Sequence, residues 1–336
     1  MRELIERARV RTNGFTVTPA QYVTISYVAL GALTLIVWTG AAVRLSGSGL
    51  GCPTWPKCYG SYYPPLNSHA VIEFSNRLIT VPVVIAAGLA WVGALRRRPY
   101  RRDLVWLSAL LPLGVIGQAV LGGFTVKGAL DYGWVMGHFG LSMLILVAAV
   151  LLVFRASRER ERAADAQGDR TLVRSLRGLV ALGALAIFAG TAATASGPHA
   201  GGSPGQRINR LSFDGRGTMD FVIHRHAEIA LLFALAAVGV WVLARRRAAP
   251  TAVRRPLTVL CVLLAVQGAV GLDQYETHLP TELVWVHVAL ASCCWVAAIW
   301  SAAAAGALLP RRRHEAAQRP LERPLVPAEP VRFPGN

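Results

Sequence analysis

The chain is predicted to be an all-α integral membrane protein, with eight transmembrane helices arranged as two duplicated four-helix bundles. Three observations carry this. Apolar residues make up 54% of the sequence and charged ones 16%, while the formal net charge is +17, a composition suited to a bilayer with cations in the loops. Apolar runs long enough to cross about 30 Å of hydrocarbon recur along the chain. A shift of 149 positions carries Gln118 onto Gln267 and His138 onto His287. A shift of 150 carries Gly40-Ala41-Ala42-Val43-Arg44-Leu45-Ser46-Gly47 onto Gly190-Thr191-Ala192-Ala193-Thr194-Ala195-Ser196-Gly197. Self-similarity on this scale reads as a duplicated helical unit, and membrane-protein sites tend to lie within or between such units.

The spans fall at about residues 22–43, 71–95, 104–125, 133–154, 176–195, 220–244, 257–272 and 282–308. The seventh is the shortest. Helices are expected because they satisfy their own backbone hydrogen bonds in lipid without closing a barrel. The organisation that follows is an N-terminal segment 1–21, a first bundle 22–154, a charged linker 155–175, a second bundle 176–308 and a tail 309–336. The tail is rich in Pro and Arg and is expected to be disordered. No cleavable signal peptide is expected, because the polar N-terminal segment runs straight into a full-length span.

Arginine placement orients the spans. Arg2, Arg7, Arg9 and Arg11 precede the first; Arg96-Arg97-Arg98-Pro99-Tyr100-Arg101-Arg102 separates the second from the third. The linker, the segment around Arg245-Arg246-Arg247 and the run Arg311-Arg312-Arg313 continue the alternation. Arg207, Arg210 and Arg216 are an exception, clustered in an alternate loop. The positive-inside rule then predicts a multi-pass cell-membrane protein with both termini cytoplasmic. Cations on every second loop are what topology requires, so these runs are not read as a nucleic-acid surface.

On that topology, the loop Gly51-Cys52-Pro53-Thr54-Trp55-Pro56-Lys57-Cys58 is extracytoplasmic, where a disulfide is permitted. Cys52 and Cys58 read as a disulfide clamp. Metal binding is the alternative, but no His or further Cys lies close in sequence and the spacing is unusual for zinc. Cys261, Cys293 and Cys294 fall inside apolar spans and read as small buried hydrophobes.

Of eight histidines, His138, His224, His226, His278 and His287 lie near the outer ends of spans. A single intramembrane histidine is an ordinary hydrogen-bonded packing residue. Several at matching depth in duplicated bundles point instead to axial ligation of haem iron. His224 and His226 are two apart and point about 200° from each other on a helix of 3.6 residues per turn, so one of them at most faces the same iron as His287. His69 and His199 read as loop residues. Glu73 and Arg77, spaced i and i+4, form either a local ion pair or a buried acid placed for proton transfer. Both readings stand on the sequence alone.

The run from Arg44 to Gly60, RLSGSGLGCPTWPKCYG, resembles the first outer loop of haem A synthases. The segment Glu73-Phe74-Ser75-Asn76-Arg77 is similar to that family's Glu-x-x-His-Arg element, and Ser196-Gly197-Pro198-His199-Ala200-Gly201 resembles its counterpart in the second half. The resemblance covers residues from about 22 to 308. It implies an enzyme that oxidises a methyl group of haem O to the formyl group of haem A for cytochrome oxidase biogenesis. It implies haem B as cofactor in the second half, with His287 and either His224 or His226 as axial ligands. It further implies a substrate haem in the first half near His138, Asn76 and Arg77, with Glu73 as the catalytic carboxylate and Cys52 and Cys58 as the outer cysteine pair. Expected partners are haem O, membrane lipid, haem O synthase, oxidase assembly factors and a second copy of the chain.

One departure matters: Asn76 stands where the motif has a histidine. Amides are poor iron ligands beside imidazole, so the first-half iron is expected to be held by His138 alone or the site to be degraded. The competing classes are a non-catalytic di-haem electron-transfer protein, which has no need of Glu73 or the Cys loop, and a transporter, which predicts helices broken at the midplane rather than polar groups at the outer ends.

Overall fold

A computed structural model of the protein describes residues 15–158, 169–203, 205–213 and 217–308. The expected N-terminal segment before 15, residues 159–168 of the expected linker and the expected disordered tail lie outside the described residues; the linker's two ends, 155–157 and 170–175, are helical. Eight helices account for the described fold: α1 Pro19–Leu45, α2 Ser68–Arg96, α3 Arg102–Lys127, α4 Tyr132–Ser157, α5 Arg170–Ser196, α6 Gly217–Arg246, α7 Thr251–Glu276 and α8 Thr281–Ala304. All eight are long and apolar enough to cross a membrane. Beyond them, β structure among the described residues amounts to two isolated bridges, Val17 with Arg97 and Cys58 with Ser61.

Helix ends follow local chemistry. Thr18 opens α1 with a reciprocal capping box to Gln21, followed by Pro19 in the first turn, which satisfies amides that have no partner inside the helix. Asn67 caps α2 through Ala70 N–H at 2.8 Å, and Asp169 caps α5 through Leu172 N–H at 3.0 Å. The seventh helix is longer than hydropathy suggested. It runs from Thr251 to Glu276 because Arg254, Arg255, Asp273, Gln274 and Glu276 are polar yet helix-compatible, and hydropathy counts only the apolar middle. The eighth is shorter than expected. It ends at Ala304 because Gly306 takes φ +73°; its N–H reaches Ala303 O at 3.0 Å, and Ala307 N–H reaches Ala302 O at 2.8 Å. That is the Schellman pattern, which needs a left-handed residue that glycine supplies without strain.

Each half closes on itself. In the first, α1 packs on α2, α2 on α3, α3 on α4 and α4 back on α1; in the second, α5 to α8 repeat the cycle. The halves join where α4 and α1 meet α8, with α4 also touching α5. This explains why α4 is apolar on every side: Ile145 to Val153 is buried apart from the half-buried Val147, as expected for a helix with neighbours all round. Tryptophans fasten the joint. Trp295 Nε1 donates to Met143 O at 3.0 Å, Trp38 Nε1 to Ser292 Oγ at 2.8 Å and Trp285 Nε1 to Trp38 O at 2.9 Å.

All four loops expected to be extracytoplasmic gather at one end. Gly49 N–H donates to Gly201 O at 2.8 Å, and Ser203 Oγ to Gly47 O at 3.0 Å. Arg44 reaches across the halves to His199 O at 3.1 Å and to Thr194 O, its own repeat counterpart, at 3.3 Å. His199 Nε2 donates to Leu279 O at 2.8 Å, and His69 Nδ1 pairs with Ser48 Oγ at 2.9 Å. Both histidines therefore act as loop anchors. The arginine-rich turns lie at the opposite end.

Candidate functional site: two equivalent histidine clefts

In the second half, α6 and α8 bring His226 and His287 together, with ring centroids 6.2 Å apart and planes at 78°. His226 Nδ1 lies 3.1 Å from Ala186 O. A carbonyl only accepts, so Nδ1 carries the proton and Nε2 keeps its lone pair, the usual state of a metal-ligating imidazole whose other nitrogen is held by a hydrogen bond. A glycine backs each ring. A Cβ at Gly190 on α5 would stand 2.9 Å from His226 Cε1, and one at Gly271 on α7 would stand 3.1 Å from His287 Cε1. A side chain at Gly190 would force the imidazole to shift, and one at Gly271 would crowd it. Gln267 Nε2 donates to His287 O at 3.0 Å. His287 Nδ1 is buried without a hydrogen-bond partner.

His224 is placed elsewhere. It is exposed, its Nδ1 bonds the Asp220 carbonyl one turn earlier at 2.7 Å, and its ring meets Tyr275 edge-on. Of the two candidates, His226 is the one that faces His287.

The first half repeats this geometry with one change. Gln118 Nε2 donates to His138 O at 3.0 Å and also to Ser142 Oγ at 2.7 Å. A Cβ at Gly122 would lie 3.6 Å from His138 Cε1, and His138 Nδ1 is again buried without a partner. The position equivalent to His226 is Asn76, and its Oδ1 is buried without a partner as well. In front of Gly40, the equivalent of Gly190, nothing comes within 4 Å of a Cβ. The asparagine leaves open a slot that the imidazole fills in the other half.

Glu73 and Arg77 have no second-half equivalents; the matching positions are Ile223 and Ala227. Glu73 is 6% exposed. It accepts Cys52 N–H at 2.7 Å through Oε2 and Arg77 through Oε1 at 2.5 Å. Arg77 also donates to the carbonyls of Cys52, Thr54, Pro56 and Lys57. The pair is thus more than an i, i+4 surface bridge: it nails the cysteine loop to the start of α2. That loop carries the Cys52–Cys58 disulfide, with both cysteines fully buried against Ala70 and Phe74. Its Trp55 covers α3, where a Cβ at Gly123, next to Gly122, would come within 3.2 Å of the indole. The equivalent in the second half, Leu272, is exposed. Among the described residues, a loop tryptophan packed on the helix beside the cleft glycine is found in the first half and not at the matching place in the second. Arg225, beside His226 on α6, pairs with Glu228, and Lys127 ends α3.

The lid tryptophan and the four glycines were not singled out from sequence. The signal was present in the repeat itself, since Gly40 and Gly190, and Gly122 and Gly271, stand at the same offsets as the histidines they serve.

The chain is similar to proteins named "Heme A synthase". The one from Bacillus pumilus (strain SAFR-032) is 29% identical over 143 residues, covering 41% of this chain and 47% of the relative. That from Geobacillus thermodenitrificans is 35% identical, over 40% of this chain and 42% of the relative. That from Lysinibacillus sphaericus (strain C3-41) is 38% identical, over 40% and 44%. The matched stretch thus spans less than half the length of each of these relatives. The family model of the cytochrome oxidase assembly proteins reaches much further, over residues 23–71 and 67–299. With duplicated bundles, paired clefts and this match over most of its length, the chain belongs to the COX15-CtaA family of cytochrome oxidase assembly proteins.

Proposed function

We propose that the protein is a haem A synthase, oxidising the methyl group of haem O to the formyl group of haem A. The observation that carries the reading is the His226–His287 pair. The two rings face one another with centroids 6.2 Å apart, a spacing that would admit one metal between two imidazoles. His226 and His287 would hold haem B as the resident cofactor. Haem O would be the substrate of the first cleft, with His138 toward its iron. Arg77 and Asn76 border that cleft.

Bound haem supplies the electron chemistry that side chains lack. The chain's own residues position, cover and accept protons. Gln118 and Gln267 hold the backbone carbonyls of His138 and His287, fixing where each imidazole starts. Trp55 and the disulfide loop would cover the outer end of α3 beside one cleft. Glu73, three residues before Asn76 on α2, is the carboxylate placed to take protons released as the methyl group is oxidised. The orientation that fits is the one with both termini cytoplasmic and the disulfide loop extracytoplasmic. Haem O synthase, oxidase assembly factors and a second copy of the chain are the partners to test by co-purification.

The deciding experiment is pigment analysis. The chain is expressed in cells that make haem O but lack a haem A synthase of their own, and extracted haems are identified by mass. Haem A formation with haem B in the purified protein supports the reading. Haem O left unchanged beside well-folded, haem-loaded protein overturns it in favour of a non-catalytic electron carrier.

A further inference from the structure

We propose that the first cleft holds its iron from one side only, through His138, and that the side facing Asn76 is an open position for a small exchangeable ligand. The inference rests on the haem reading above and concerns how the two clefts differ.

The halves provide their own control. The Gln-to-His-carbonyl bond measures 3.0 Å in both. The glycine behind the helix-start histidine, Gly122 or Gly271, and the unpartnered Nδ1 of that histidine also recur. His138 and His287 are therefore the same ligand position used twice. The opposite wall differs. His226 fills the slot before Gly190, anchored to Ala186 O; Asn76 is shorter and leaves the slot before Gly40 clear. A neutral carboxamide is a weak donor to haem iron beside imidazole. Asn76 does keep a buried polar atom without a partner. Such an atom is costly in an apolar site unless something bound there completes its hydrogen bond. An open coordination position beside a hydrogen-bonding amide meets both conditions. The first half also carries Glu73, where the second has Ile223. A resident cofactor gains from two strong ligands, whereas a substrate that must enter and leave gains from one.

The test uses the full-length protein in detergent, with added haemin (iron protoporphyrin IX) as the probe and cyanide as the small ligand, read by optical and paramagnetic-resonance spectra. Two haem populations are expected. One is low-spin, unreactive to cyanide and lost in His226→Ala. The other is high-spin, binds cyanide and is lost in His138→Ala. Asn76→His should turn the second population low-spin and abolish its cyanide uptake. Asn76→Ala should keep it high-spin and retain haemin. A His138-dependent haem that is already low-spin and inert to cyanide overturns the proposal. So does loss of that haem in Asn76→Ala, which would make the amide a ligand. Failure of the first cleft alone to take haemin overturns this proposal and leaves the His226–His287 reading standing. Failure of both clefts removes the functional reading as well.

Discussion

Replacing Glu73 by glutamine tests the role the structure gives that carboxylate beyond chemistry. Treated as an exposed i, i+4 pair, Glu73 and Arg77 would contribute about 0.2–0.5 kcal/mol. The fold makes the pair buried and ties it to the loop, with Cys52 N–H on one oxygen at 2.7 Å and Arg77 on the other. Hydrogen bonds to charged groups contribute about 1.5–3 kcal/mol each. Glutamine has one carbonyl and one amide. Whichever way it turns, either Cys52 N–H or the Arg77 guanidinium meets another donor. Arg77 keeps its four loop carbonyls, so the helix survives and the loop is loosened rather than lost. A loss of about 2 kcal/mol in loop docking multiplies the open population by about 30, at 1.4 kcal/mol per tenfold. Cys52 and Cys58 are fully buried, so reducing their disulfide requires opening, and its rate follows the open population. Reduction by a water-soluble phosphine, trapped with a maleimide and followed by mass, should accelerate on the order of 30-fold in Glu73→Gln. A rate within about twofold of wild type would refute the claim that Glu73 anchors the loop, given how much one charged hydrogen bond contributes.

The same variant should keep its low-spin haem, whose proposed ligands lie in the other half, while haem A formation in cells falls by about 10²–10⁴, the effect of removing a positioned acid or base. Gly51→Ala separates the two roles. A Cβ there would sit 2.2 Å from His69 O, so the loop must shift at a cost of about 1–3 kcal/mol; reduction should accelerate with less loss of product than in Glu73→Gln. Among the histidines, His287→Ala and His226→Ala should each abolish the low-spin spectrum, His224→Ala should leave it intact, and His138→Ala should spare it while reducing turnover.

Eight spans, the duplication, the cysteine pair and the histidines and Asn76 of the two clefts were legible in the linear sequence. Each depends on something local: the length of an apolar run, a fixed offset, the redox chemistry of a loop. Hydropathy misjudged the ends of α7 and α8, because helices continue through polar residues that are helix-compatible and stop at a left-handed glycine, neither of which hydropathy measures. The choice between His224 and His226 needed the tertiary structure. Residues two apart on a helix face opposite ways whatever their sequence, and only the packing of α6 against α5 and the meeting of its His226 with His287 of α8 decide which face is inward. Glu73 and Arg77 could be paired from their spacing, but their burial could not. It arises because residues 51–58 fold back over α2, and that long-range contact sets whether a carboxylate is a solvated surface charge or the pin of a lid. The open slot at Asn76 is likewise a tertiary fact. A substitution is visible in sequence, but the space it leaves is defined by Gly40 on another helix, and empty volume belongs to no single residue.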